Sequence, residues 1–217
     1  MNKEEKIVNY YVMCNKLKHV IRTGWKDWNV KRERIESVAE HIYGVQMLAI
    51  AMKSEYQYDI DIKKVILMLA IHELGETVIG DLTQFEIDRE EKEKLEAEAV
   101  EKVLGHLIDK DELKELFLEF DAKKTKEAKF AYLCDKLECD IQSKLYDEEG
   151  CVDLTDQANN KTMNHHLVKS LLEKGLSWSE MWLEFGRNIY PYDENFQKVS
   201  EYVETHTITM LNNKGGE

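Results

Sequence analysis

A single proline, Pro191, in 217 residues is the count that most narrows what this chain can become. Proline removes a helix hydrogen bond and clashes with the preceding turn, at a cost of roughly 3 kcal/mol inside a helix. Long proline-free stretches rich in Leu, Glu, Lys and Ala are therefore free to run as helices, and the spacing of apolar residues agrees. Ile7, Tyr10, Tyr11, Cys14, Leu17, Lys18 and Ile21 recur every three or four positions and predict an amphipathic helix over 7–21. An all-α chain follows, with no internal repeat and no linker that would mark a second domain.

The polar stretch 22–35, with Trp25, Trp28 and the basic Lys31, Arg32 and Arg34, reads as an ordered loop. Ser37-Val38-Ala39-Glu40 has the capping-box form, so a helix should start at Ser37, with His41 just inside its first turn. Asp59 or Asp61 can cap the next helix. Its run from Val65 to Ile71 is apolar nearly all round and implies a buried, central position. A charged helix is expected from Arg89 to Leu107, beginning near Asp88, and a short one from Glu112 to Phe120. A long helix should run from Lys126 to about Tyr146. After a polar stretch over 152–164, helices are expected at 166–173, at 178–188 behind a second box at Ser177, and from Asn195 to about Leu211. The tail from Asn212 should fray.

Composition excludes several functions. An apolar share of 43% suffices for a core and exceeds what disordered chains carry. Thirty basic against forty-three acidic side chains leave a net charge of −13, which argues against a nucleic-acid polymer as partner, because that affinity rests on clustered Lys and Arg. No run approaches the eighteen or so apolar residues needed to span a bilayer. The start MNKEEK leads into no apolar signal segment. A cytoplasmic protein with no membrane partner is expected. Cys14, Cys134, Cys139 and Cys151 form no CxxC pair and are expected as reduced thiols.

Three separated places set metal-type ligands beside apolar positions: His41, His72-Glu73 and Asp135. Imidazole with carboxylate suits one divalent ion such as Mn, Co, Zn, Fe or Mg. Neighbouring helix residues point about 100° apart, so His72 and Glu73 converge only if they face a gap between helices. Glu76, four residues after His72, should share its helix face, where a carboxylate could orient or deprotonate a water. Gly75 is expected to remove bulk near the ion, Gly80 to stop the helix, and Asp81 to sit at the pocket rim. The segment is HExxE rather than HExxH, so a zinc protease fits poorly. His19, His106, His165, His166 and His206 read as core or surface residues. Spacing alone leaves open whether the four candidate ligands bind a metal or are satisfied core and surface groups, Asp135 being equally readable as a solvent-facing helix residue.

Taken together, Arg22-Thr23-Gly24-Trp25, Glu36 to His41, His72 to Glu76 with Gly80-Asp81, and Glu127 to Asp135 resemble the HD-domain metal-dependent phosphohydrolases, in particular the small 5′-deoxynucleotidases. The resemblance covers about residues 7 to 150 in consistent order. It implies a single HD-domain helical bundle with a C-terminal helical extension over about 151–212. It further implies that His41, His72, Glu73 and Asp135 bind one divalent cation, that Glu76 and Asp81 serve catalysis, and that Arg22 and Trp25 contact the substrate. The implied activity removes phosphate from a small nucleotide, a deoxyribonucleoside 5′-monophosphate first among these, and the implied assembly is a homodimer. The face formed by Trp178, Met181, Trp182 and Phe185 reads as core packing rather than as the dimer contact. The eponymous pair is His-Asp, whereas this chain has His72-Glu73, one methylene longer, so metal binding is expected to be retained but altered. Two rivals stand beside this reading. One is hydrolysis of another phosphoester or a nucleoside triphosphate on the same fold, and the other is a nucleotide-binding scaffold weakened by Glu73.

Overall fold

Side-chain caps set most helix starts. In the computed structural model, which describes residues 1–82, 87, 89–158 and 160–209 apart from the side chains of Arg89 and Glu93, the elements are helical. Among the described residues the only extended pairing is an isolated antiparallel bridge between Ile21 and Ser37. The helices are α1 (Lys3–Asn15), α2 (Thr23–Asp27), α3 (Val38–Tyr56), α4 (Ile62–Ile71), α5 (Glu76–Ile79), α6 (Arg89–Leu104), α7 (Lys110–Ala122), α8 (Lys126–Glu148), α9 (His166–Glu173), α10 (Trp178–Ile189) and α11 (Glu194–Thr205). Short 3-10 turns lie at Lys16–Lys18 and Thr162–Asn164. The expected boxes at Ser37 and Ser177 are both formed, each serine accepting from the amide three residues on while the glutamate there accepts from the serine amide. Asp61 rather than Asp59 caps α4, and Asp193 caps α11.

The chain divides into two compact units, one of residues 1–24 and 35–134, the other of 25–34 and 135–217, so that α8 passes from the first into the second between Cys134 and Asp135. In the first unit, α3 and α4 pack together through Val38, Val45, Ala49, Val65, Met68 and Leu69, all buried. Each such large aliphatic side chain contributes roughly 1.5–3 kcal/mol. The Gln46 amide donates to the Ile66 carbonyl at 3.0 Å, and the Asp61 amide donates to Glu127 at 3.2 Å, which fixes the start of α4 against the start of α8. Ala99, Val100, Val103 and Leu104 turn the narrow apolar stripe of α6 inward, against α5 and α7.

The second unit is organised around tryptophan. Trp25, Trp28, Trp178 and Tyr146 are each no more than 2% exposed, and Trp25 meets Tyr146 and Trp178 edge-on. Trp178 and Met181 are core residues, as expected.

Three expectations need correction. The helix expected over 7–21 starts earlier and stops at Asn15, and its supposed inner face is not buried: Ile7 and Tyr11 are 63% and 62% exposed, and only Leu17, in the 3-10 turn, is buried. Periodicity reports a face, not what covers it. The loop over 22–35 contains the short helix α2 and buries both tryptophans. The last helix ends at Thr205; the expected continuation beyond Thr209, the fraying tail and Asp88 lie outside the described residues. All four cysteines are free thiols. Among the described residues no helix is long and apolar enough to cross a membrane.

Candidate active site

Each candidate ligand is held by local structure. His41 lies in the first turn of α3, behind the Ser37 box, and is fully buried. The bridge at Ser37 and the bonds from the Arg22 amide to the Glu36 carbonyl and from the Val38 amide to the Val20 carbonyl fasten the Arg22 segment to that same helix start. His72 is the C-cap of α4, and its Nδ1 lies 2.7 Å from the Leu69 carbonyl. A carbonyl only accepts, so Nδ1 carries the proton and Nε2 keeps its lone pair, the arrangement of a metal-binding imidazole. Asp135, on the continuous α8, is 4% exposed.

His41, His72, Glu73 and Asp135 each offer one ligand atom, and these atoms all lie within 4.8 Å of one another. Glu73 Oε1 is the oxygen turned toward the group, 3.6 Å from His72 Nε2 and 4.0 Å from His41 Nε2. It also lies 3.4 Å from Arg22 Nη1. Two imidazoles and two carboxylates, nearly enclosed, are a donor set suited to a divalent cation. The longer glutamate therefore still reaches the group, and reaches Arg22 with the same oxygen.

The turn after His72 differs from the expected continuous helix. The α-helix ends at Ile71, and the amides of Leu74, Glu76 and Thr77 bond to carbonyls three residues back. In such a 3-10 arrangement residues three apart eclipse one another. Glu76, the first residue of α5, follows directly on this tightened turn. It is 2% exposed, and its Oε2 has no hydrogen-bond partner. Burial first, then the charges of Glu73 and Asp81, push its pKa well above the ordinary carboxylate value, against the lowering influence of Arg22 and Lys92. Gly75 is expected from sequence to remove bulk near an ion, but the room it leaves is taken by α6: a Cβ there would meet the Cα of Glu96 at 3.2 Å. Gly80 does end α5, with φ +78° and ψ 173°, a backbone state that favours glycine.

Asp81 acts on the Arg22 segment. Its Oδ2 accepts from the Thr23 amide at 2.6 Å, and its carbonyl accepts from the Thr23 hydroxyl at 2.6 Å. Thr23 is marked in the sequence only as part of the Arg22 segment, without a role, and Lys92, whose charge acts on Glu76, is not marked at all; neither lies in a spacing pattern with the ligands. Trp25 packs among Tyr146, Trp178 and Trp182.

A family model described as HD domain matches residues 14–174. The 5′-deoxynucleotidase hdd1 of Schizosaccharomyces pombe is 31% identical over 186 residues, covering 81% of this chain and 91% of the relative. The 5′-deoxynucleotidase HDDC2 of Dictyostelium discoideum is 33% identical over 150 residues, covering 65% of this chain and 78% of the relative. A solved structure from Magnetospirillum magnetotacticum, described as a predicted metal-dependent phosphohydrolase, shares the fold with a TM-score of 0.64 at 20% identity, covering 93% of this chain and 90% of that one. The buried imidazole and carboxylate group, the acids that follow it and the length of these matches lead to one assignment: the chain belongs to the HD-domain family of phosphohydrolases.

Proposed function

We propose that this protein removes phosphate from small nucleotides, deoxyribonucleoside 5′-monophosphates first among them. The observation that carries the reading is the convergence of His41, His72, Glu73 and Asp135 in a buried group, with the buried Glu76 three residues after Glu73. The relatives named 5′-deoxynucleotidase support the choice of substrate. A divalent cation held by the four ligands would supply positive charge to a phosphoryl oxygen and acidify the attacking water. Arg22 binds the phosphate with the forked donors that suit it. Asp81, bonded to the Thr23 amide, keeps Arg22 in place. Glu76 Oε2, buried and without a hydrogen-bond partner, is the atom that orients the water and takes its proton. Trp25, the buried residue of α2, holds the backbone that follows Arg22.

The weakened-scaffold reading draws on one observation, the Arg22–Glu73 contact at 3.4 Å, because a ligand oxygen shared with an arginine is partly committed. Protein stripped and reloaded with Mn, Co or Zn should release inorganic phosphate from deoxynucleoside monophosphates. His72→Ala and Asp135→Ala should lose both bound metal, by elemental analysis, and phosphate release. Hydrolysis that survives both changes sinks the assignment. An inert wild type that gains strong activity on Glu73→Asp would favour the scaffold.

The reading includes a cytoplasmic, homodimeric enzyme in which about residues 7–150 form the HD-domain core. Tyr43, Met47 and Ile50, exposed and spaced by four and three on α3, support self-association. Light scattering at twice the monomer mass is the expected outcome.

A further inference from the structure

The missing side chain at Gly75 brings α6 onto the turn that carries Glu73 and Glu76: a Cβ at 75 would lie 3.2 to 3.3 Å from the Cα, Cβ and Cγ of Glu96. Lys92 stands one helical turn before Glu96, on the same face of α6, and its Nζ lies 3.4 Å from Glu96 Oε1. The contact with Gly75 therefore places an ammonium group over the acidic turn. Lys92 feels the charges of Glu73, Glu76 and Asp81 as well as that of Glu96, and these hold its pKa up against burial, so it stays charged.

We propose that Lys92 is a second cationic group for the substrate phosphate, acting beside Arg22. The proposal rests on the phosphohydrolase reading above. A phosphate dianion that enters this site approaches Glu73, Glu76 and Asp81, and Arg22 is already engaged with Glu73. Lys92 pairs with Glu96, an i,i+4 partner whose side chain is 15% exposed and which stands outside the catalytic acids. Such a pair is weak, and a lysine stem is long and flexible with three rotatable donors, so the ammonium can leave Glu96 for a phosphate oxygen without disturbing α6. Arg22 and Lys92 come from two separate elements of the first unit, the segment before α2 and α6, and would meet the phosphate from both.

The test is binding of inorganic phosphate by calorimetry to metal-loaded protein, with metal content and Tm measured for every variant. Lys92→Gln should weaken phosphate about tenfold, the loss of one charge-assisted hydrogen bond. Lys92→Arg should recover most of it, and nucleotide KM should rise more than kcat falls. Glu96→Gln releases the ammonium and should tighten phosphate two- to threefold by the same arithmetic, roughly. Metal content and Tm should stay at wild-type values throughout. Phosphate binding unchanged in Lys92→Gln but lost in Arg22→Gln would overturn the role of Lys92 and leave the enzyme reading standing. Wild-type protein that neither binds phosphate nor hydrolyses nucleotides would overturn both. Should Lys92→Gln fail to fold, an unchanged affinity in Glu96→Gln decides against the proposal.

Discussion

At the scale of single residues, the ligands were legible and their spatial relations were not. His41, His72, Glu73 and Asp135 stand out because imidazole and carboxylate are unusual beside buried apolar positions. Glu76 is also legible, but the continuous helix face that its spacing of four suggests is interrupted by bonds to carbonyls three residues back. That shift leaves no compositional mark. The bond from the Thr23 amide to Asp81 spans 58 positions and follows no period, so no local pattern could announce it. Gly75 gives a test at this scale. Its backbone is right-handed helical, so alanine is conformationally acceptable there, but the new Cβ would press on the backbone of Glu96. Gly75→Ala should lower stability by about 1 kcal/mol, overpacking exceeding the gain in backbone entropy, as urea unfolding would show.

At the scale of elements, the caps made the sequence readable. Ser37, Asp61, Ser177 and Asp193 each accept from amides at a helix start, and each marks its start to the residue. The two serine boxes permit a matched comparison. Ser37→Ala and Ser177→Ala remove the same chemistry and should each cost about 1 kcal/mol in thermal or urea unfolding. Only Ser37→Ala should also weaken cation binding, because His41 lies in the turn that Ser37 closes. Equal metal affinity in the two variants would mean that this cap does not position His41. The misread element is α1, whose apolar residues are spaced as a buried face would be but lie exposed. Spacing cannot tell the two apart, because it encodes the helix and not its neighbours.

At the scale of the whole molecule, the net charge of −13 hides acids of different standing. Glu101 and Glu194 are solvated and held below the usual carboxylate range by lysines. Asp140 is the opposite case. It is 1% exposed, accepts from the Tyr192 hydroxyl at 2.9 Å, and fits only because residue 186 is glycine. Burial raises its pKa well above the usual value despite that bond, Arg187 and Lys136. The folded chain therefore binds a proton at Asp140 where the unfolded chain has released it. Stability should fall as pH rises from the unfolded pKa, about 4, through the raised folded value. Asp140→Asn, which can still accept from Tyr192, should flatten that slope and match or exceed wild-type stability at pH 7 while equalling it at pH 4. None of this was legible, because Asp140 sits in a run of acids and lysines with nothing to mark it as buried.

The tightened turn at 72–76 also limits how related chains can diverge. Residue types at 74, 77 and 78 can change with their packing, but one residue inserted between 73 and 76 would swing the second carboxylate by about 120°. Substitution is open to this segment, and a change of length is not.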